Sequence, residues 1–165
     1  MTAGVVRVEP AFWDDPDIQR LAADQQAEVR ARYDGKGEPG MPPSAADISV
    51  VQVARDERGT ALGCGALRRL GDDIAEVKRM FVVPAARGRG VSKALLGALE
   101  DVARERGWTT LRLETGSRQP EAIGLYTAAG YRPIDAFGAY AGHPDAEESL
   151  YFERILGPAS GVTGL

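Results

Sequence analysis

The stretch from residue 74 to residue 106 constrains the fold more strongly than any other part of the chain. It opens with IAEVKRMFVV, whose largely apolar pattern predicts a strand that Pro84 ends, and it continues through AARGRG into VSKALLGALEDVARE. Apolar residues recur from Val91 at i, i+3, i+4, i+7, i+8 and i+11, which predicts an amphipathic helix with Glu100 and Asp101 facing water. A strand, a glycine-rich turn and a helix in this order place a helix N-terminus at the edge of a sheet.

Segments on both sides of this unit extend it to a mixed α/β domain. Strand patterns occupy residues 5–9, 48–55, 60–70, 109–115, 131–134 and 149–156, and helical patterns occupy residues 16–33 and 120–130. Too few residues precede the glycine- and proline-rich loop at 34–44 for it to divide two domains. The order β-α-β-β-β-α-β-α-β-β predicts one α/β domain with a mixed, α+β-type sheet over residues 1–156. A flexible C-terminal tail is expected at 157–165.

The composition of the chain limits which partners the protein can be expected to bind and where in the cell it is expected to be found. The net charge of −4 argues against a general nucleic-acid or anionic-membrane binder, so we expect neither partner. One cysteine, Cys64, and one histidine, His143, leave no internal disulfide and no Cys/His zinc cluster, so we expect no metal. The first residues lack the apolar core of a signal peptide and no apolar run reaches membrane-spanning length, so we expect a cytoplasmic protein. Both a monomer and a homodimer are compatible with the sequence.

The RGRG sequence at 87–90 combines three features that favour a bound anion. The first turn of a helix has N–H groups without intrahelical partners and carries about half a positive charge. Gly88 and Gly90 would let a ligand approach the backbone closely, and Arg87 and Arg89 add positive charge. The turn therefore predicts a phosphate or pyrophosphate cradle, with an ordinary exposed turn as the alternative. It matches neither the ATP-type phosphate loop nor G-x-G-x-x-G, which disfavours a nucleotide-binding domain of those classes.

Two motifs in this arrangement resemble those of the GNAT superfamily of acyltransferases. FVVPAARGRGVSKALL resembles its acyl-CoA binding motif, Q/R-x-x-G-x-G/A, with Arg87 and Gly90 matching and Ser92 standing where glycine or alanine is usual. AIGLYTAAGYRPI resembles the later A-x-x-x-Y-x-x-x-G-[FY] block, and Gln119 occupies the place where many members have asparagine. The resemblance extends from about Val50 to Leu156. It implies a single GNAT-like domain, with mostly antiparallel strands, a splayed central pair and flanking helices.

The resemblance also implies acetyl-CoA as the co-substrate and assigns residues to it. Backbone groups of Phe81, Val82 and Val83 would pair with the pantetheine arm as if it were an added strand. Backbone N–H groups of a second set would hold the pyrophosphate: Arg87, Gly88, Arg89, Gly90, Val91 and Ser92. Gln119 would lie near the far end of the same groove.

Transfer of an acyl group from a thioester to an amine requires a base for the amine and an acid for the departing thiolate. Glu76 is the candidate base, because it matches a glutamate that some GNAT enzymes use and is expected on the same strand face as Met80 and Val82. A structural salt bridge is its alternative role. Tyr126 is the candidate acid, because it matches the family's thiolate-protonating tyrosine, and a core tyrosine is its alternative. The backbone N–H of Val82 is the candidate donor to the thioester oxygen.

These residues predict an N-acetyltransferase that moves an acetyl group directly from acetyl-CoA to a primary amine within a ternary complex. The resemblance places the acceptor, a small molecule or a peptide, opposite the cofactor, among the first helices and residues 34–47 and 135–149. The alternative is a non-catalytic acyl-CoA sensor or regulatory module of the same fold.

Overall fold

A computed structural model of the 165-residue chain describes residues 4–35, 42–144 and 148–157. Within these ranges the helices are α1 (Pro16–Arg32), α2 (Val91–Glu105) and α3 (Pro120–Ala128). The strands are β1 (Arg7–Pro10), β2 (Ile48–Arg55), β3 (Ala61–Arg69), β4 (Ile74–Val82), β5 (Thr110–Gly116), β6 (Arg132–Ile134) and β7 (Ser149–Ile155). The predicted order of elements is confirmed. Of the tail expected at 157–165, residues 158–165 lie outside the described residues. No helix in the described ranges is both long and apolar enough to cross a membrane.

The strands form one mixed sheet whose central pair is splayed. In the described chain the sheet has seven strands in the order β1-β2-β3-β4-β5-β7-β6, and the β4–β5 pair is the parallel one among antiparallel neighbours. β4 and β5 pair at Ile74–Thr110, Ala75–Leu111 and Glu76–Arg112. Beyond these positions the remainder of each strand diverges from the other. The resulting opening confirms the expected splay.

A β-bulge in β4 reverses the side-chain alternation on which the sequence argument for Glu76 relied. β4 has one more residue than β3 across the bulge, where Arg79 has a left-handed φ of 57°. Glu76 and Phe81 consequently share a face, and Val82 points to the other face with Met80. The expectation that Glu76 lies on the same face as Met80 and Val82 is wrong, because an alternating pattern does not reveal an inserted residue.

The two faces of the sheet bury separate apolar clusters. On one face, Leu99 of α2 and residues of α3 pack with Tyr131 and Leu111. On the other face, Ile18 and Leu21 of α1 pack against β2, β3 and Phe81. α1 therefore lies across the sheet from α2 and α3, and the splay between β4 and β5 opens toward both layers.

Glu100 differs from the expectation that it faces water. Its side chain is buried, where it accepts hydrogen bonds from the Tyr131 hydroxyl at 3.0 Å and from Arg154 Nη1 at 2.7 Å. A buried carboxylate is compensated when a cation and a hydroxyl donate to it in this way. Glu100 thus forms a structural ion pair with Arg154 that joins α2 to β7.

The end of α1 is joined to the loop that leads into α3. The Tyr33 hydroxyl accepts a hydrogen bond of 2.8 Å from the backbone N–H of Arg118, and the Arg118 guanidinium lies over the Tyr33 ring. Gly116 makes this contact possible, because a Cβ at that position would collide with the Tyr33 hydroxyl. The loop fixes where α3 begins, and hence where Tyr126 sits.

Candidate active site

A cavity of about 290 Å³ lies at the splay and collects most of the residues that the sequence singled out. Its walls come from α1, from the end of β4, from the turn before α2 and from α3. The candidate residues that line it are Phe81, Val82, Arg87, Gly88, Gly90, Val91, Ser92, Gln119 and Tyr126. Three other candidates, Val83, Arg89 and Glu76, are not among the lining residues.

The turn before α2 has the backbone geometry of an anion cradle. Gly88 and Gly90 have φ values of 80° and 78°, and no heavy atom would lie within 4 Å of a Cβ built at either position. Gly90 is the N-cap of α2, so the N–H groups of the first helical turn project from this end. In the described chain, the N–H groups of residues 88–90 donate to no backbone carbonyl. The backbone therefore offers clustered donors and open space, which fit a pyrophosphate.

The end of β4 presents its two valines differently. The Val82 carbonyl accepts a hydrogen bond of 2.9 Å from Arg87 Nε, so it points toward the splay and away from the β3 ladder. The Val83 N–H donates to the Leu62 carbonyl at 2.8 Å, and this bond ties Val83 to β3. Backbone groups of Val82 can thus meet an extended ligand in the cavity, whereas the N–H of Val83 is already used.

Tyr126 lines the cavity from α3. The side chain is 5% exposed and its ring packs edge-on against Tyr131 at 5.6 Å between centroids. Burial, with a smaller contribution from the nearby charge of Glu114, raises the pKa of the Tyr126 hydroxyl. In the part of the chain that the structure describes, this hydroxyl makes no hydrogen bond to another residue. Tyr126 is a protonated donor that faces the cavity without an internal acceptor.

Glu76 lies at the last paired position of β4 and β5, where the splay begins, and it is 1% exposed. The Tyr140 hydroxyl donates a short hydrogen bond to Glu76 Oε2. Arg68 Nη1 lies 3.5 Å from Oε1 and Lys78 Nζ lies 3.8 Å from Oε2. Lys78 Nζ also donates to the Tyr140 hydroxyl at 2.9 Å. The carboxylate is therefore held in a buried charged cluster on the α1 face of the sheet.

Sequence reasoning missed the wall that α1 contributes. Gln25, Glu28, Val29 and Arg32 line the cavity at i, i+3, i+4 and i+7. Gln25 Nε2 donates to the Met80 carbonyl at 3.0 Å, which joins α1 to the bulge in β4. A detectable signal was present in the sequence, because the buried stripe of Ile18 and Leu21 continues along the same helix face into these polar residues.

Comparisons with known proteins agree with this geometry. A family model described as "Acetyltransferase (GNAT) family" matches residues 10–131. The IAA acetyltransferase of Azospirillum brasilense is 43% identical over 105 residues, which are 63% of this chain and 66% of that protein. The Escherichia coli protein named "Uncharacterized N-acetyltransferase YjgM" is 36% identical over 98 residues, 58% of this chain and 59% of that protein. Both matches span less than two thirds of the relative's length.

Solved structures extend the similarity to nearly the whole chain. A Klebsiella pneumoniae protein designated an acyl-CoA N-acyltransferase has a TM-score of 0.79 at 33% identity, covering 93% of this chain and 99% of that one. A GNAT acetyltransferase from Elizabethkingia anophelis, solved with acetyl-CoA bound, has a TM-score of 0.66 at 17% identity and shares the fold. That match covers 92% of this chain and 98% of the other. The family match, the mixed sheet and the splay with its cradle together lead to one conclusion: the chain belongs to the acetyltransferase (GNAT) family.

Proposed function

We propose that this protein is an acyl-CoA-dependent N-acetyltransferase that transfers an acetyl group from acetyl-CoA to a primary amine of a small molecule or peptide. The observation that carries the proposal is the cavity at the β4–β5 splay, which is lined both by the glycine turn with its backbone donors and by Tyr126. An acyl-CoA sensor of the same fold would need the cradle but has no use for a buried proton donor in the cavity wall. The placement of Tyr126 therefore favours an enzyme.

The residues present fit acetyl-CoA as a bound co-substrate. We propose that backbone N–H groups from Arg87 to Ser92 hold the pyrophosphate, and that backbone groups of Val82 pair with the pantetheine arm. Phe81 is paired with Cys64 of β3, so its backbone groups face that strand and it would border the arm with its side chain. Gln119, at the N-cap of α3, borders the same cavity. Because the Val83 N–H is bonded to β3 and its carbonyl accepts from the Ala86 N–H at 2.9 Å, the contribution of Val83 would be limited to its side chain.

The proposed chemistry divides proton handling between the two faces of the splay. Acetyl-CoA supplies a thioester carbonyl as the electrophile. Glu76, on the α1 face, receives a proton of the amine directly or through a water molecule, and Tyr126, in the α3 wall, donates its proton toward the departing sulfur. The Val82 N–H donates to the thioester oxygen. In this arrangement the acceptor enters from the α1 side, directly into a ternary complex.

An assay for the release of the CoA thiol tests the proposal. Acetyl-CoA is mixed with the protein and with amino acids, polyamines, aminoglycosides or peptides with free N-termini. Amine-dependent thiol release, with the acetylated amine identified by mass spectrometry, is the expected result. Binding of acetyl-CoA without turnover of any amine class would contradict the enzyme and favour the sensor.

The cradle gives a separate prediction for Gly90→Ala. A methyl group at this position would occupy the space that the pyrophosphate requires, so acetyl-CoA affinity measured by calorimetry should fall about 10-fold or more. The left-handed φ should also cost about 1 kcal/mol of stability. Gly59→Ala is the matched control, because Gly59 has a φ of 83°, equally open surroundings and a place in the β2–β3 turn away from the cavity. Equal affinities in the two variants would contradict the cradle.

A further inference from the structure

Four charged side chains form a continuous chain of ion pairs that connects three of the walls of the cavity. Arg87 Nη2 and Nη1 contact Glu28 Oε2 and Oε1 at 2.8 and 3.2 Å. Glu28 Oε1 also accepts from Arg32 Nη2 at 3.0 Å, and Arg32 Nη1 pairs with Glu121. The chain links the turn before α2 to α1 and then to α3, and all four residues line the cavity.

The Arg87 side chain contacts groups that are proposed to bind acyl-CoA. Besides its two contacts with Glu28, its Nε donates to the Val82 carbonyl at 2.9 Å, and its guanidinium lies over the Phe81 ring. These are the groups proposed to meet the pantetheine arm. A guanidinium bound to a carboxylate, close to a backbone cradle for pyrophosphate, has two alternative anionic partners of matching bidentate geometry.

If Arg87 exchanged Glu28 for a pyrophosphate, the net charge of the ion-pair chain would change. With Arg87 in place, two glutamates and two arginines sum to zero. When Arg87 turns to a pyrophosphate, the remaining Glu28, Arg32 and Glu121 carry one net negative charge. Glu28 then keeps Arg32 as a partner through Oε1, while Oε2 loses its donor.

Glu28 lies on the helix from which the acceptor is proposed to approach, so its negative charge could attract a cationic acceptor. It lies one helical turn after Gln25, whose side chain is bonded to Met80 at the β4 bulge, on the helix that covers the Glu76 face. A carboxylate at this position would contact a ligand that approaches the splay from α1. Its natural partner is an ammonium group.

We propose that Glu28 is the recognition residue for a cationic amine acceptor and that Arg87 masks it until acyl-CoA binds. Pyrophosphate draws Arg87 away from Glu28 and Val82, and the exposed carboxylate binds a second ammonium group of the acceptor. The favoured acceptors are diamines and polyamines. This assignment rests on the proposed acetyltransferase function, and it adds a specificity residue and a binding order to it.

The first test measures acetyl-CoA binding by calorimetry. Glu28→Gln removes the competitor for Arg87, so acetyl-CoA should bind roughly 5-fold more tightly, whereas loss of a merely structural contact would leave the affinity unchanged or weaken it. The gain should vanish when Glu28→Gln is introduced into an Arg87→Ala background. Glu105→Gln, an exposed change of the same charge at the end of α2, is the control and should leave the affinity unchanged. If Glu28→Gln unfolds, Glu28→Asp retracts the carboxylate from Arg87 and should show the same direction.

The second test compares 1,4-diaminobutane with 4-amino-1-butanol, which differ in one ammonium group. The wild-type protein should show a lower KM for the diamine, and Glu28→Gln should remove that preference without changing KM for the amino alcohol. Unchanged acetyl-CoA affinity, or an unchanged preference for the diamine, would overturn the role of Glu28. Absence of acetyl-CoA binding by the wild-type protein would instead overturn the proposed function itself.

Discussion

Glu76→Gln is expected to lower kcat/KM by about 10²-fold or more, with little change in acetyl-CoA affinity. Glu76 occupies the position where β4 and β5 separate, on the face covered by α1, and it is not part of the cavity wall proposed for the cofactor. If its carboxylate accepts the proton of the amine, the loss should shrink at high pH, where more of the acceptor arrives neutral. Steady-state kinetics across a pH series, with calorimetry for acetyl-CoA, measure both effects.

Stability alone cannot separate the two roles of Glu76, and a second buried glutamate supplies the comparison. Removing the charge takes away the carboxylate that Arg68 and Lys78 share, although Arg68 keeps its ion pair with Asp47 at 3.1 Å. Breaking a buried ion pair typically costs about 3 to 5 kcal/mol. Glu100→Gln breaks a comparable cluster with Tyr131 and Arg154 on the other face of the sheet from Glu76, and Glu100 does not line the cavity. It should lose stability and retain kcat. A deficit in Glu76→Gln that is equal at every pH would assign Glu76 to the structural ion pair.

Sequence reasoning succeeded where the determinants are local. The alternation in β2, β3 and β4, the periodicity of α2 and the stop at Pro84 all depend on residues that are neighbours along the chain. The same holds for the glycine turn, because its conformation and the first N–H groups of α2 are contiguous. The resemblance then supplied the splay, which depends on how two strands separated by a helix diverge.

Two errors of sequence reasoning share a physical cause. The bulge at Arg79 exists relative to β3, so the sequence of β4 alone gave no indication that Glu76 and Val82 face opposite layers. Glu100 looked like a solvent residue because its cationic partner, Arg154, is 54 positions away. In both cases the outcome depends on a segment that is distant along the chain and adjacent in the fold.

The candidate site divides along the same line. The cradle residues could be named from a short motif, whereas the wall from α1 and the contacts of Glu76 with Lys78 and Tyr140 are assembled from separate parts of the chain. Segments that the acceptor was expected to meet include residues 36–41 and 145–147, which lie outside the described residues. The acceptor therefore has to be inferred from α1 and from the face of Glu76.

Tyr126→Phe is expected to lower kcat by about 10²-fold or more, with acetyl-CoA affinity nearly unchanged. The phenol is buried at the cavity, and its pKa is raised above the ordinary tyrosine value of about 10, so it stays protonated at pH values where an exposed tyrosine begins to ionise. Tyr126 should therefore produce no fall in rate as the pH rises through the neutral and mildly alkaline range. The hydroxyl acts mainly as the C–S bond breaks, so its loss should appear in kcat more than in binding. An acyl donor with a more acidic thiol should recover part of the rate, because a better leaving group needs less help.

Tyr131→Phe is the matched control. The rings of Tyr126 and Tyr131 pack against each other, but only the Tyr131 hydroxyl hydrogen-bonds to another residue of the described chain. The Tyr131 hydroxyl donates to buried Glu100, so its removal should lower the melting temperature and leave kcat near the wild-type value. Tyr126→Phe breaks no hydrogen bond within the described chain, so its melting temperature should stay near that of the wild type. Turnover of Tyr126→Phe at the wild-type rate, under conditions where chemistry limits, would remove Tyr126 from the mechanism. Water in the cavity would then be the remaining proton donor to the sulfur.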